Sequence, residues 1–525
     1  MPETQIKPIL APRGGLNYSL PADLISELEM SDGQNVFFED GKVKKRYGYT
    51  TMGDNLPLDG AIVGIDQFYD FQGNNWLLVL TENEIYKWLP ASSLWSKITD
   101  DTFTGTDSNF FSYDYVRKST ETNPWWVCTN GVDKIKKFTG TGTISDLITD
   151  YPAGVTSLLA KYLAEFKTYL ILMDVTEQGN RYPQRVRWSD TADPEDFING
   201  NANYQDLSGA DWIVGGTKFK GDYFVVFKER SVWVSYATGD SDIFQFDQKI
   251  TGTGCSAGGT IESLGDELIF LGWDDVYVFN GIDYEPIGTP IQRKLFATMN
   301  PEEMSRSFGV VIEEQKEYWL FLPSTNKSHI SGSGVSTYPD IAWCFNYNLN
   351  KWTRHSYNDF ITGYGYYELE ATMTIDDLIG TIDQQTWKFD DRTILQTAPI
   401  NLFGDKDGYV YQYDRLVNNE DGETIDAWFS TKDFNPTQLM QRFRLLRIDV
   451  YYIGGSLNVA YSTDKGTTWT DIGTLSESRN FETPRSLYCR ADMNMARLRF
   501  RNNNSGEHFE FSRANIYWQP AGRRL

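Results

Sequence analysis

The chain has few of the residues that enzymes most often use for covalent and acid–base chemistry. Three histidines, His329, His355 and His508, serve 525 residues. The four cysteines, Cys128, Cys255, Cys344 and Cys489, lie far apart with no Cys-x-x-Cys pair. That excludes a disulfide framework and a zinc site of ordinary spacing, and it predicts folding in a reducing cytoplasm. No run approaches ~18 apolar residues, so no spanning helix is expected. Residues 1–10 lack the apolar core of a signal peptide. Positive charge is scarce as well: 48 Lys and Arg face 72 Asp and Glu, a formal net charge of −24. Such a chain does not wrap DNA with a general basic face and is repelled by anionic lipid. The same charge favours solubility, and it suits a passage along which a polyanion slides without sticking.

Aromatic residues are abundant, with 31 Tyr, 31 Phe and 16 Trp, and these types favour pleated, half-buried surfaces. At ~150 residues per domain the length suggests two to four domains. Most segments alternate with period two. Residues 222–236 read as two strands around a Lys-Glu-Arg turn, and residues 267–281 as a hairpin leaving through Asn280-Gly281. Short aromatic strands recur around Tyr86, Lys136, Arg187, Trp233, Tyr277, Phe345 and Tyr411, spaced 44–51 apart over the first five and then 68 and 66 apart. The first intervals match the ~40–50 residues of a four-stranded propeller blade. The last two leave room for insertions, one being the Ser/Gly-rich stretch 324–336. The expected fold class is all-β, a β-propeller-like array; a set of unrelated β-sandwiches is the competing reading. Helical spacing is expected at residues 155–166, and Asn300-Pro301-Glu302-Glu303 reads as a capped helix start.

Three regions are expected. Residues 1–50 form an extended N-terminal segment with a hairpin turn at Asp40-Gly41. Residues 51–416 form the propeller, and residues 417–525 a C-terminal β-sandwich. Removal of 1–50 is expected to leave a folded propeller. The sandwich region is rich in Arg, which fits either an acidic protein interface or a solvated sheet face.

The sharpest local motif is Ser462-Thr-Asp464-Lys-Gly466-Thr-Thr468-Trp469, an Asp-box pattern. In it Ser and Asp bond turn amides while Trp packs below. Asp-boxes occur in sialidases but are structural there, so a hairpin is the reading. Gly332-Ser333-Gly334-Val335 holds only a broken nucleophile-elbow pattern. Asp274-Asp275, Asp376-Asp377 and Asp390-Asp391 are candidate carboxylate pairs for glycoside chemistry; neighbouring Asp residues on a strand point to opposite faces, which favours solvated turns. The oxygen-rich stretch 418–426 does not satisfy an EF-hand, and Gly252-Thr-Gly254 has no dinucleotide continuation. No catalytic residue, cofactor or metal is assigned.

Several stretches, taken in order, resemble tail hub or nozzle proteins of tailed phages, the group that includes tail tubular protein B and packaged-DNA stabilisation proteins. The opening Gly14-Gly-Leu-Asn17 and residues 34–48, with Asn35, Gly41, Arg46 and Gly48, carry the likeness first. It continues through Arg185-Val-Arg-Trp-Ser-Asp190, Pro194-Glu-Asp-Phe197, Phe224-Val-Val-Phe-Lys228 and Val232-Trp-Val234. Leu268-Ile-Phe-Leu-Gly272, Val276-Tyr-Val-Phe-Asn-Gly281 and residues 402–411 complete it. The resemblance implies a structural protein of the virion tail, assembled in the host cytoplasm as a ring, usually a homohexamer, below the portal and adaptor. It implies that residues near both termini, 1–50 and 417–525, build a platform that meets the adaptor. It implies head–tail adaptor proteins and tail fibres or spikes as partners, and DNA passing through the ring without sequence-specific binding. An acidic wall would centre the duplex within the ~8 Å over which salt leaves charge unscreened. The alternative is a carbohydrate-binding or glycan-cleaving propeller, for which the aromatic surface and the Asp-box speak.

Overall fold

The computed structural model describes residues 3–54, 56–148, 151, 157–240, 242–326, 334–368, 399–437 and 441–523. Six four-stranded antiparallel sheets follow one another along the chain, and a seventh is completed from near the N-terminus. Blade 1 comprises Ile62–Tyr69, Asn75–Thr81, Ile85–Leu89 and Leu94–Lys97. Blade 2 comprises Ser112–Val116, Trp125–Thr129, Lys136–Phe138 and Ser145–Asp146. Leu158–Phe166, Tyr169–Glu177, Asn180–Trp188 and Asn203–Asp206 form blade 3. Ile213–Phe219, Tyr223–Lys228, Ser231–Ala237 and Phe244–Thr251 form blade 4. Blade 5 is smaller, with Glu262–Ser263, Leu268–Leu271, Val276–Phe279 and Tyr284–Pro286. Blade 6 has Phe308–Ile312, Glu317–Pro323, Pro339–Asn346 and Lys351–Ser356. Ile361–Tyr367, Ile400–Asp405 and Val410–Asp414 make three strands of blade 7, and Gly48–Thr51 pairs with Val410–Asp414 as its fourth.

The second strands explain why the blades close into a ring. Both of their faces are buried, so neighbouring residues serve opposite neighbours. Leu77 and Val79 join the core between blades 1 and 7, while Leu78 and Leu80 join that between blades 1 and 2. Phe224 and Val226 pack toward blade 3, and Val225 and Phe227 toward blade 5. Seven apolar cores lie between successive blades, the last joining Ile62 and Ile65 to Tyr367 and Leu402. Full burial of each such side chain contributes about 1.5–3 kcal/mol. The chain is therefore an all-β, seven-bladed propeller. All seven positions that carried the period, from Tyr86 to Tyr411, fall on the third strand of a blade.

The helix expected over 155–166 is a strand from Leu158 to Phe166; Val155 and Thr156 lie outside the described residues. As the innermost strand of blade 3 it is apolar on both faces, and Leu158, Ala160, Leu163, Ala164 and Phe166 are all buried. Two-sided burial erases the period-two signal and leaves a spacing that imitates a helix. The Asn300 side-chain Oδ1 does accept the Glu302 amide, at 3.2 Å, at the start of a 3-10 helix over Pro301–Arg306. Of the insertion at 324–336, residues 327–333 lie outside the described residues.

A two-sheet sandwich stands beside the propeller, and both ends of the chain build it. One sheet runs in the order Val36–Glu39, Lys42–Lys45, Phe509–Arg523, Gln441–Gly454 and Arg485–Met493, with Gln5–Leu10 also paired to Phe509–Arg523. The other runs Asp32–Gln34, Ala427–Ser430, Arg497–Asn502, Leu457–Ser462 and Thr470–Leu475. The segment 1–50 is thus not a unit apart, since its strands are shared between this sandwich and blade 7. Cutting at residue 50 would remove Gly48, Tyr49 and Thr50 from the fourth strand of blade 7. The sandwich core, with Phe429, Phe500 and Phe511, is continuous with the core between blades 5 and 6.

The crossing from sandwich to propeller is a short buried stretch. Asp40 and Gly41 take left-handed φ of 51° and 72° in the two-residue turn between Glu39 and Lys42. Lys45 turns into the sandwich and donates to Asn502 Oδ1 at 2.8 Å. Arg46 turns the other way: its Nε donates to Asn35 Oδ1 at 2.9 Å, its Nη2 to the Ser356 carbonyl at 2.7 Å, and it pairs with Glu420. Asn35, at φ 57°, also accepts the Ser356 amide at 2.8 Å. Gly48 is required by contact, because a Cβ there would lie 1.8 Å from the Asn419 carbonyl oxygen.

Candidate functional site: the axial cavity

One cavity of about 670 Å³ lies on the propeller axis, touched by the innermost strand of every blade. Val63, Tyr113, Tyr162, Glu262, Phe308 and Tyr364 represent six of them, and the volume is in the range of small-ligand sites. Gly258 lets the chain entering blade 5 close against blade 4, since a Cβ there would sit 1.7 Å from the Val214 carbonyl oxygen.

At one side of the cavity the second strand of blade 3 shifts register between Met173 and Val175. Asp174 occupies the shift with φ 52° and is 3% exposed. Bulges of this kind re-aim a side chain. Here the Asp174 carboxylate receives Arg181 from the next strand, Nε to Oδ1 at 2.7 Å and Nη2 to Oδ2 at 2.5 Å. The same guanidinium lies 4.5 Å over the ring of Trp212, which remains 46% exposed. Lys161 and Glu229 stand nearby, and Glu229 Oε2 accepts the Trp212 amide at 3.4 Å.

Glu262, Tyr162 and Ser307 line the same cavity. Burial pushes the Glu262 carboxyl up to about 8, against a lesser pull from the Ser263 amide, so it is largely protonated at neutral pH. The Tyr162 hydroxyl is raised, first by burial and then by the Asp174 charge. Ser307 is 2% exposed, and its hydroxyl has no hydrogen-bond partner.

The residues singled out in the sequence do not gather here. The Asp-box forms the hairpin between Leu457–Ser462 and Thr470–Leu475 of the sandwich. Gly466 N donates to Ser462 Oγ at 2.8 Å and Thr468 N to Asp464 Oδ1 at 2.9 Å. The Thr468 hydroxyl and amide, with Ser462, hold the Asp464 carboxyl down to about 2. Gly466 takes φ 89°, and Arg499 lies 4.4 Å over the Trp469 ring. Asp274 accepts the Tyr277 hydroxyl and Asp275 the Val276 amide, each at 2.8 Å, so both are spent on the blade 5 turn. Asp376, Asp377, Asp390, Asp391 and His329 lie outside the described residues. The acidic stretch 418–426 ends in ion pairs, Glu420 with Arg46 and Asp426 with Arg501.

Cys344 Sγ lies 3.3 Å from His355 Nδ1, a pairing that spacing alone did not suggest. Burial drives the thiol up and the imidazole down, so both stay neutral and the thiol is not activated. Among the described residues no group of three or more His, Cys, Asp or Glu could hold a metal ion, and no helix is long and apolar enough to cross a membrane. The cavity residues escaped the sequence reading because they come from seven blades; the one local signal was Asp174 interrupting an apolar strand.

No protein-family model and no curated protein matches this chain. Among solved structures it is similar to PorZ, a surface component of the type-IX secretion system of Porphyromonas gingivalis, at 10% identity and TM-score 0.33, over 82% of this chain and 48% of that one. The chain therefore spans about half of PorZ. It is also similar to a family 43 arabinoxylan arabinofuranohydrolase from Bacillus subtilis, at 12% identity and TM-score 0.25, over 98% and 100% of the two chains. A third similar structure is the Pan2 WD40 domain of Neurospora crassa, at 7% identity and TM-score 0.36, over 72% and 98%. None of the three is a phage tail protein. All three scores are low, and the assignment as a seven-bladed propeller rests on the strand pairing of this chain.

Proposed function

We propose that this chain is a structural component of a phage tail, joining a ring through its sandwich and carrying its propeller on that platform, without turnover. One observation carries the reading. Asn35, Arg46 and Gly48, three of the residues on which the resemblance to tail hub proteins begins, join the sandwich to the propeller, and Gly41 makes the hairpin turn that leads to them. That the early motif falls at this joint supports the reading of a platform that carries a propeller. Immunogold labelling of purified particles, with an antibody to the propeller, should decorate the tail vertex. Label confined to host material would contradict the assignment.

A second reading, a carbohydrate-binding or carbohydrate-cleaving propeller, is favoured by the axial cavity. Aromatic rings, hydroxyls and charged groups converge there, as they do in sites for small polar ligands.

A further inference from the structure

Resting on that second reading, we infer that the axial cavity binds a neutral, polyhydroxylated ligand of the carbohydrate class and does not cleave it. The charges point to neutrality. Lys161 and Arg181 are matched by Asp174 and Glu229 around the same side of the cavity, and Glu262 is largely uncharged at neutral pH. An anion would meet two carboxylates, and a cation would meet two basic groups.

The hydrogen-bonding groups point to hydroxyls. The Ser307 hydroxyl is almost fully buried with no partner, and such a group costs about 1–3 kcal/mol when left unsatisfied. The Glu262 carboxyl accepts the Ser263 amide, and Tyr162 lines the same cavity with its hydroxyl. A protonated carboxyl and two hydroxyls each donate and accept, which is what a sugar hydroxyl requires. The Trp212 ring, 46% exposed at the cavity, supplies an apolar face against which pyranose C–H groups pack.

Cleavage is a different matter. Glycoside hydrolysis uses two carboxyl groups flanking the scissile bond. Asp174 is held bidentate by Arg181, while Glu229 and Glu262 each accept one backbone amide, from Trp212 at 3.4 Å and from Ser263. Glu262 answers to burial and the Ser263 amide alone, with no charge of a second carboxylate acting on it, so a general acid there has no carboxylate partner to act as nucleophile or base.

The test titrates the full chain with neutral gluco-, galacto- and xylo-oligosaccharides, and with sialylated and uronate-containing ones, while assaying release of reducing ends. Saturable binding of a neutral oligosaccharide is expected, weakened at least tenfold by Trp212→Ala and by Tyr162→Phe. The distant Tyr488→Ala should leave it unchanged, and no reducing ends should appear. Equal melting temperatures of the variants would separate lost binding from lost fold. Release of reducing ends would overturn the non-cleaving site while keeping the carbohydrate reading. Binding of anionic glycans only, or neutral binding untouched by both cavity variants, would overturn the inference about ligand class or place. Binding of no glycan would overturn the inference and the carbohydrate reading together.

Discussion

The Arg46 guanidinium and the Glu420 carboxylate, 374 residues apart in sequence, form an ion pair that is 0% and 1% exposed at the junction of sandwich and propeller. Asn358 N donates to the other carboxylate oxygen at 2.9 Å, and the guanidinium lies 4.5 Å over the Tyr357 ring. Removing one partner strands a buried charge, at a typical cost of about 3–5 kcal/mol. Glu420→Ala and Arg46→Ala should each lower the denaturant midpoint sharply. The double variant Arg46→Leu/Glu420→Leu should recover part of the loss. Single variants as stable as the parent would remove the junction from the account.

Gly48→Ala tests the same junction by volume alone. The added methyl meets the Asn419 carbonyl oxygen at 1.8 Å, while Gly48 is held by its pairing with Asp414 in blade 7. A loss of at least ~1–3 kcal/mol is expected from overpacking, measured by thermal unfolding. An unchanged melting temperature would mean that the closure of blade 7 is looser than described.

Asp66 makes the stability depend on pH. Burial raises its carboxyl to about 7, above the opposing pull of Trp126, Gln67 and Tyr115. The folded state therefore holds a proton that the unfolded chain, titrating near ~3.9, releases earlier. This contribution is fully present below about pH 4 and is lost as pH rises through about 7. The melting temperature of Asp66→Asn relative to the parent should climb between pH 4 and pH 8. A pH-independent difference would contradict the assignment.

The Asp-box has the opposite sign. Asp464 is held down to about 2 by Thr468 and Ser462, so its contribution is present above about pH 4 and is lost as pH falls through about 2. Asp464→Ala should speed hydrogen exchange at the Gly466 and Thr468 amides, and it should leave glycan binding at the axial cavity unchanged. Slow exchange in the variant would show that the turn does not depend on Asp464.

Much of the propeller was legible because one strand per blade keeps an aromatic signature. Tyr86, Trp233 and Tyr277 fall on third strands, the last two 44 residues apart, and Phe345 and Tyr411 follow at the longer intervals of 68 and 66. The hairpin at Asp40-Gly41 was legible for the same local reason, a turn that demands two left-handed residues. The innermost strand of blade 3 was not, since burial on both faces leaves no alternation to read from Leu158 to Phe166. Nor was the joint between the chain ends. Arg46 and Glu420 look like ordinary surface charges until the fold buries them together. The cavity was hidden likewise, with Asp174, Trp212, Glu262 and Ser307 coming from four different blades or the segments that precede them.

The most direct measurement is quantitative mass spectrometry of purified phage particles, counting this chain against the portal protein. The account predicts that the chain is present at about half the portal count, as a ring of six under a ring of twelve requires. Its absence from particles would contradict the account.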